Sequence, residues 1–196
     1  MRIAGPHDLD ALTAVMTTAF SNDPVWGPYA FPDTHTRPEQ PARIWRAYLQ
    51  MTLRFPWTLV TEGCEAAAVW IPPGEPELEP VQEEEFAAVL ADELGRRQAG
   101  VVLAAFAALD ANHPGDEPHH YLSLLGTHAA HRGRGVGMAL LDECLEVVDA
   151  ARSPAYLEST NPANDERYIR RGFEPRARIE LAGGQVVTTM WRPART

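Results

Sequence analysis

The spacing of apolar residues changes near position 130, and this change predicts a strand, a tight turn and a helix in succession. Tyr121 to Thr127 is a short apolar segment bounded on both sides, which is typical of a strand. From Val136 to Val147 apolar residues recur at helical spacing, which predicts a helix beginning near Gly137. The intervening turn, residues 132–137, reads Arg-Gly-Arg-Gly-Val-Gly.

The same patterns predict the other elements. Helices are expected at Asp8 to Phe20, Ala42 to Phe55, Phe86 to Leu109 (with breaks at Gly95 and Gly100) and 163–171. Strands are expected at Trp57 to Thr61, Ala66 to Ile71 and Ala155 to Thr160, and a hairpin at Arg178 to Trp191 with a two-residue turn at Gly183-Gly184.

Three features of the N-terminal half lie outside this periodicity. The proline- and aromatic-rich segment Ser21 to Pro41 is expected to be irregular, either as a wall of a substrate site or as a packed surface loop. The acidic run Glu75 to Glu85 is expected to be a solvated loop and helix start. Trp57 and Trp70 are expected to be core aromatics on a sheet face.

The glycine-rich turn favours an anion. Gly133, Gly135 and Gly137 allow close backbone approach and positive φ. The first turn of the helix presents unpaired N–H groups at the positive end of the helix dipole. Arg132 and Arg134 add two permanent charges to a chain that has a formal net charge of -10. A phosphate or pyrophosphate site is one interpretation, and a tight strand-to-helix turn with solvated arginines is the other.

Two common phosphate-binding motifs are excluded. No lysine follows these glycines, as a Walker loop requires. The dinucleotide fingerprint fails because Met138 or Leu140 stands where its third glycine would be.

The pattern Arg132-x-x-Gly135-x-Gly137 resembles the cofactor motif of the GNAT superfamily of N-acetyltransferases, Gln/Arg-x-x-Gly-x-Gly/Ala. This resemblance implies that the turn holds the pyrophosphate of acetyl-CoA and that the preceding strand lies along its pantetheine arm. The residues implied to bind the cofactor are Leu125, Gly126, Thr127, Arg132, Gly133, Arg134, Gly135, Val136, Gly137, Met138, Asn161 and Asn164.

A second block, Asn161-x-x-Asn164-x-x-x-Tyr168-x-x-x-Gly172-Phe173, is similar to the second signature of that superfamily. Gly172 fits a left-handed helix end, and Phe173 would anchor the chain in the core. The resemblance places Tyr168 in the position of the general acid, although a packed aromatic beside the cofactor is the alternative. Asn161 and Asn164 would bind the pantetheine amides or cap a helix.

The fold implied by this resemblance is an α/β fold with a mixed, mostly antiparallel twisted sheet, helices on both faces and a splayed central strand. We expect one domain covering residues 1–196, since 196 residues with 45% hydrophobic content suit a single core. Residues 1–118 would form the acceptor-side half with a helical insert. Residues 119–196 would form the acetyl-CoA-binding half and the C-terminal hairpin. A monomer or a homodimer is expected.

Transfer to an amine needs a base, because an ammonium group has no lone pair. Glu158, on the strand next to the central one, is the best candidate, with a structural carboxylate as the alternative. The central strand offers no carboxylate at Ser123 or Leu124, where some relatives carry a glutamate. His119 and His120 are read as mainly structural, the alternative being that one contacts substrate.

Composition limits the remaining possibilities. The acidic balance, 27 acidic and 17 basic residues, argues against nucleic-acid binding and suits a cationic amine. No apolar run approaches membrane-spanning length, and Asp8 and Asp10 stand where a signal peptide would be apolar. Cys64 and Cys144 lack metal-ligand spacing and fit a reducing cytoplasm. We therefore expect a cytoplasmic protein that binds neither metal, nucleic acid nor membrane.

A closer resemblance is to the puromycin N-acetyltransferase branch and its actinobacterial relatives. It rests on Ala67-Ala68-Val69-Trp70, on the approach from His113-Pro114 to Leu122, and on Pro154 to Ser159. It implies an N-acetyltransferase that moves an acetyl group from acetyl-CoA to a small amine by direct attack in a ternary complex. A non-catalytic acyl-CoA-binding or sensor module, and an interaction protein without cofactor, are the competing classes; intact Tyr168 and Glu158 favour the enzyme.

Overall fold

The computed structural model describes residues 1–33, 35, 39–115 and 117–195. In the described chain one sheet of seven strands has the order β1-β2-β3-β4-β5-β7-β6. The strands are β1 (Arg2–Ile3), β2 (Thr58–Val60), β3 (Ala66–Ile71), β4 (His120–Thr127), β5 (Ala155–Ser159), β6 (Glu174–Glu180) and β7 (Val186–Arg192). The α-helices are α1 (Leu9–Phe20), α2 (Glu39–Thr52), α3 (Pro80–Asp110), α4 (Val136–Ala150) and α5 (Asp165–Ile169).

The predicted α/β architecture is confirmed. Among the strands of the described residues, only β4 and β5 pair in parallel, and every other neighbouring pair is antiparallel. Helices α1, α2 and α3 bury their apolar sides in one cluster on one face of the sheet. Helix α4 packs on the opposite face, where Leu140, Leu141 and Cys144 lie against Trp70 and Leu157. Apolar burial on both faces therefore holds the sheet between two helical layers.

The sheet opens beside β4 because of a bulge at Ser123. Leu122 pairs with Trp70 and Leu124 pairs with Val69, so Ser123 is the extra residue on β4. A bulge bends its strand and increases the local twist. The parallel pairing of β4 with β5 ends at Leu122, immediately before the bulge. Beyond that point the two strands separate, and the expected splay of the central strand is present.

Several helix boundaries differ from the sequence-based predictions. Helix α2 begins at Glu39 and includes Pro41, which the first turn tolerates because its N–H groups have no partner there. Helix α3 begins at Pro80 and is interrupted at Gly95, where φ is 74°. The break predicted at Gly100 is wrong, since the helix continues through it. Tyr168 lies on α5, which ends three residues before Gly172.

Strand details also needed correction. The short strand β1 was not predicted. The hairpin turn has three residues rather than two, because the N–H of Leu181 donates to the carbonyl of Gln185 across Ala182, Gly183 and Gly184. Trp70 is fully buried as expected, whereas Trp57 is half-buried against the ring of His120.

Within the segment Ser21 to Pro41, predicted to be irregular, Val25–Tyr29 forms a single π-helical turn. Residues 34 and 36–38 of that segment lie outside the described residues.

Among the described residues, no helix combines the length and the apolar character needed to cross a membrane.

Candidate functional site

The separation of β4 from β5 leaves a cleft of about 630 Å³ at the N-terminus of α4. We call this space the cofactor cleft. Its walls come from the end of α1, the end of β4, the glycine-rich turn and α5 with its flanking residues. The predicted residues that line it are Leu125, Thr127, Arg132, Gly133, Gly135, Val136, Gly137, Met138, Asn161, Asn164 and Tyr168. The structure therefore brings together most of the residues that the two sequence motifs placed at a common site.

The glycines of the turn have two distinct physical roles. Gly133 and Gly135 have φ of 76° and 78°, in the left-handed region that favours glycine. Gly137 lies against β4, where an added Cβ would stand 2.3 Å from the hydroxyl oxygen of Thr127. The turn thus needs residues that adopt positive φ before α4 begins. The second residue of α4, Gly137, must also lack a side chain that would meet Thr127. Together these let the first turn of α4 open directly onto the cleft.

The electrostatics of this end of α4 favour an anion. Gly135 is the N-cap of this 15-residue helix and provides no capping side chain for its first N–H groups. Arg167, Arg170 and Arg171 add positive charge from the opposite wall, and the guanidinium of Arg171 is also paired with Asp142 at 2.6 and 2.9 Å. These three arginines were not predicted, although the sequence carries them within five positions beside Tyr168.

Of the two arginines of the turn, Arg132 lines the cofactor cleft. The guanidinium of Arg132 reaches the cleft wall but donates to the carbonyls of Thr18 and, at 2.8 Å, Ala19. Its contact therefore fastens the turn to the C-terminal end of α1, whose carbonyls lack helical partners. Arg134 is not among the residues lining the cleft.

Gly126 is also absent from the lining of the cleft, and its position has a packing explanation. An added Cβ would stand 2.9 Å from the sulfur of Met16 and 3.0 Å from the Cβ of Ala19. The glycine therefore lets α1 approach β4 closely, which is the contact that forms one wall of the cleft.

The two asparagines of the second motif lie in the cleft with different contacts. Asn161 accepts a hydrogen bond from the N–H of Ala163 at 3.1 Å and caps the short 3-10 turn before α5. Asn164 makes no side-chain cap at the start of α5. Asn161 thus acts as a helix cap through its side-chain oxygen. Asn164 lines the cleft and does not cap a helix with its side chain.

A buried aspartate fixes the loop after α1 to the end of β5. Asp23 accepts hydrogen bonds from the N–H groups of Val25 and Trp26 at 2.9 and 3.0 Å, and from the Thr160 hydroxyl at 2.8 Å. Burial raises its pKa, and these hydrogen bonds oppose the rise. This bridge across the open part of the sheet was missed, because its partner is 137 positions away in the sequence.

Tyr168 stands where the cofactor cleft continues inward. It lines both the cleft and a narrower space of about 50 Å³, the neck, whose walls also include Leu125, Ser123 and Glu158. Burial, followed by the negative charge of Asp23, raises the pKa of Tyr168 to about 12. Its phenol is therefore protonated at neutral pH and able to donate.

Glu158 lies deeper, between the neck and an inner chamber of about 30 Å³. Only 4% of its side chain is exposed, and its Oε1 finds no hydrogen-bond partner among the described residues. Nδ1 of His113 lies 3.5 Å from that oxygen. A carboxylate oxygen that is buried without a hydrogen bond is costly, unless a ligand completes its surroundings.

A second carboxylate reaches the inner chamber from the loop after β3. The hydroxyl of Tyr48 hydrogen-bonds to Glu77, and it lies 2.6 Å from the hydroxyl oxygen of Ser123 at the bulge. Burial raises the pKa of Glu77, and hydrogen bonds from Ser123 and Tyr48 oppose the rise. The expectation of a solvated acidic run is therefore wrong at Glu77. A carboxylate from another part of the chain thus hydrogen-bonds to Ser123 on the central strand.

The paired histidines at the start of β4, His119 and His120, are both buried. Burial lowers the pKa of His120 to about 4, and its Nδ1 lies 2.9 Å from the hydroxyl oxygen of Ser153. Burial also lowers the pKa of His119, whose ring packs against Tyr156 and Trp191. In the described part of the chain, no group of three or more His, Cys, Asp or Glu residues could hold a metal ion.

Comparison with known proteins gives the family and the fold. Residues 54–173 match the model of the Acetyltransferase (GNAT) family. The structure is similar to the histone acetyltransferase HPA2 and related acetyltransferase from Corynebacterium glutamicum, with 23% identity, 99% of this chain and 95% of that chain covered, and a TM-score of 0.66.

Two insect enzymes have comparable folds. The polyamine N-acetyltransferase of Drosophila melanogaster has 17% identity, 97% coverage of each chain and a TM-score of 0.67. Arylalkylamine N-acetyltransferase 2 of Aedes aegypti has 13% identity, coverage of 99% of this chain and 98% of that chain, and a TM-score of 0.67.

Proposed function

This chain belongs to the acetyltransferase (GNAT) family, and from that premise we propose that it transfers an acetyl group from acetyl-CoA to the amine of a small molecule. Members of this family are acetyltransferases that use acetyl-CoA. The observation that carries the proposal is the continuity of the site. The cofactor cleft, with its uncapped helix N-terminus, leads through the neck to a buried carboxylate, and Tyr168 and Glu158 both line that neck.

The residues of the cofactor cleft suit acetyl-CoA as the donor substrate. The backbone of residues 133–138 and the arginines after α5 would receive its pyrophosphate. Leu125, Thr127, Asn161 and Asn164 would contact the pantetheine arm. Gly137 supports this assignment, because its missing side chain lets the first turn of α4 lie directly against Thr127 on β4.

In the proposed mechanism Glu158 accepts a proton from the acceptor ammonium, directly or through one water. The freed nitrogen forms a bond to the thioester carbonyl carbon, and the carbon–sulfur bond breaks. A backbone N–H of β4 near Leu125 would stabilise the charge that develops on the carbonyl oxygen. Tyr168 donates its proton to the departing sulfur. The acylated nitrogen then loses its second proton, which restores the phenol of Tyr168, and Glu158 releases the first proton to solvent. The net change is one acetyl group moved from sulfur to nitrogen, one CoA thiol formed and one proton released, and no protein nucleophile is needed.

The finer parts of the proposal concern the acceptor and the setting. The names of the two insect neighbours, a polyamine and an arylalkylamine acetyltransferase, support a cationic small amine. The stretches similar to the puromycin N-acetyltransferase branch extend the candidates to antibiotic-type amines. We place the enzyme in the cytoplasm as a single domain, acting as a monomer or homodimer without nucleic acid.

Calorimetric titration tests the donor site. We expect acetyl-CoA to bind, and acetyl-pantetheine, which lacks the phosphate-bearing nucleotide half, to bind at least about 100-fold more weakly because it loses charge-assisted hydrogen bonds. Acetylation of an amine panel that includes aminonucleosides, monitored by mass spectrometry, then tests transfer. Absence of acetyl-CoA binding would refute the proposed transferase. Binding without transfer to any amine would favour the non-catalytic acyl-CoA-binding module.

The close contact of Gly137 with Thr127 gives a second test. Gly137→Ala places a Cβ against the Thr127 hydroxyl. It should lower the free energy of unfolding by about 1–3 kcal/mol, as overpacking does. The shifted N-terminus of α4 should also weaken acetyl-CoA binding, measured by calorimetry.

Gly100→Ala is the matched control for that substitution. Gly100 is exposed within α3, and nothing lies within 4 Å of its added Cβ. Alanine there should raise stability by up to about 1 kcal/mol and leave acetyl-CoA binding unchanged. Unaltered binding in Gly137→Ala would contradict the role given to this contact.

A further inference from the structure

A second opening lies on the side of the inner chamber away from the cofactor cleft. This outer cavity has a volume of about 500 Å³ and is formed by the loop after β3, the end of α3 and the loop before β4. It shares Glu77 and Tyr121 with the wall of the inner chamber. His113 of the outer cavity lies 3.5 Å from Glu158 of the inner chamber. The two spaces are thus separated by single side chains, and together we call them the acceptor passage.

Carboxylates dominate the charged groups around the outer cavity. Among the described residues that line it, four carry a carboxylate, Glu75, Glu77, Asp110 and Glu117, and two are histidines, His113 and His119. Its described lining contains no arginine, and the chain contains no lysine. Burial lowers the pKa of His119 in the same wall, so this ring is neutral at pH 7. Such a lining attracts cations and repels anions.

Asp110 occupies a position that helix stability alone does not favour. It is the last residue of α3, where the negative end of the helix dipole opposes a carboxylate. Partial desolvation, followed by the charge of Glu158, raises its pKa. Asp110 and Glu158 therefore repel each other across the passage, and a bound cation between or beside them would relieve that repulsion.

The inner end of the passage is the carboxylate of Glu158, which is almost completely buried. Its Oε1 lacks a hydrogen bond from the described residues and has Nδ1 of His113 at 3.5 Å, and the hydroxyls of Tyr121 and Tyr156 hydrogen-bond to the carboxylate. The adjoining walls are aromatic, with Trp26, Trp45 and Phe106 around the chamber. A carboxylate at each end and apolar rings along the inner part suit a molecule with two cationic groups and an apolar spacer.

We propose that the acceptor is such a dication, a diamine or longer polyamine that enters through the outer cavity. One amine is held at Glu158 and receives the acetyl group, and the second remains cationic opposite Asp110 in the outer cavity. This inference rests on the proposed function, since it names the class of acceptor for the same reaction. The bonds made and broken at the reacting amine are those already given.

Monoamines and diamines of equal chain length test whether a second ammonium group is bound. Steady-state rates are measured with acetyl-CoA and either n-alkylamines or α,ω-diaminoalkanes of four to eight carbons. We expect the KM of the best diamine to be at least about tenfold lower than that of its monoamine, as a charge-assisted contact provides. Equal KM values for every pair, with turnover intact, would overturn the dication site while leaving the transferase in place.

Asp110→Asn tests whether the preference for the diamine depends on the Asp110 carboxylate. It should bring the ratio of diamine to monoamine kcat/KM down to about threefold or less, because the second cation is the group proposed to face this position. The fold should tolerate it, since a neutral residue suits the helix end. Asp92→Asn is the matched control, because it removes the same charge from an exposed position of α3 outside the passage. A preference that persists in Asp110→Asn, or that falls equally in Asp92→Asn, would overturn the proposal.

Calorimetry without acetyl-CoA distinguishes failure of the dication site from failure of the proposed transferase activity. Titration with 1,6-diaminohexane and with n-hexylamine measures cation recognition when no reaction occurs. Tighter binding of the diamine, lost in Asp110→Asn, would support the site even if no amine were acetylated. Equally weak binding of both amines would count against the dication site whatever the transferase assay gives.

Discussion

Glu158→Gln should lower kcat for acetyl transfer by about 100-fold or more near neutral pH, in the range of general-base contributions. Glutamine keeps the size of the side chain in a site where only 4% of it is exposed, but it cannot accept the ammonium proton. The KM for the amine should also rise, because the buried negative charge that attracts the cation is gone. Rates are measured with purified variants at saturating acetyl-CoA.

The pH dependence distinguishes a base from a merely structural carboxylate. Without the base, transfer depends on amine that is already neutral, and below the amine pKa this fraction rises about tenfold for each pH unit. The deficit of Glu158→Gln should therefore shrink as the pH rises. The raised pKa of Tyr168, about 12, keeps the acid protonated over that range.

Glu180→Gln serves as the control, because Glu180 is exposed on the edge strand β6. It should behave as the unmodified enzyme does. A deficit in Glu158→Gln that is the same at every pH would remove Glu158 from the role of base. Glu77, whose carboxylate reaches Ser123 at the bulge, would then be the next candidate.

The donor side of the candidate site could be predicted because its determinants are local in the sequence. Glycine spacing sets the turn, and helical periodicity begins where the turn ends, so α4 was placed within one residue of its start at Val136. The end of the second motif is equally local. Gly172 has a φ of 87°, and Phe173 is fully buried, as predicted for a left-handed helix end and a core anchor.

The acceptor side could not be predicted, because it depends on contacts between distant segments. Glu77 belongs to a run that looks solvated, and only the return of the loop after β3 over the bulge brings it to Ser123. Asp23 likewise becomes informative only when its contact with Thr160 is known. Hydrophobic periodicity carries no signal for such pairings, since the residues concerned lie in loops and at a register irregularity.

Arg132 has a contact that its motif does not indicate. Its charge beside three glycines predicts an anion contact, and its guanidinium, which lines the cofactor cleft, also donates hydrogen bonds to the C-terminal carbonyls of α1. The unpaired carbonyl groups at the C-terminal end of a helix accept hydrogen bonds from a guanidinium, as a bound anion would. The sequence cannot reveal this competition, because α1 lies more than 110 positions away.

Tyr168→Phe should lower kcat by about 100-fold, in the range of general-acid contributions, while the Kd for acetyl-CoA stays close to that of the unmodified enzyme. Phenylalanine keeps the ring that packs on Phe173 with a centroid separation of 6.1 Å, so the wall of the cleft is preserved. The lost hydroxyl is the group that would protonate the departing sulfur.

The matched control is Tyr29→Phe, which removes a phenol from a residue outside the cofactor cleft and the neck. It should leave kcat and Kd unchanged. A purely structural role for Tyr168 would change acetyl-CoA binding or the melting temperature along with the rate.

The raised pKa of Tyr168 makes the pH profile decisive. Since the phenol keeps its proton up to pH values near its pKa of about 12, the loss in Tyr168→Phe should persist from neutral pH to about pH 10 instead of disappearing at alkaline pH. The deficit of Glu158→Gln, in contrast, shrinks as the amine loses its proton in solution. One deficit that is constant with pH and one that shrinks would assign acid and base separately, and undiminished transfer in Tyr168→Phe across this range would exclude Tyr168 as the acid.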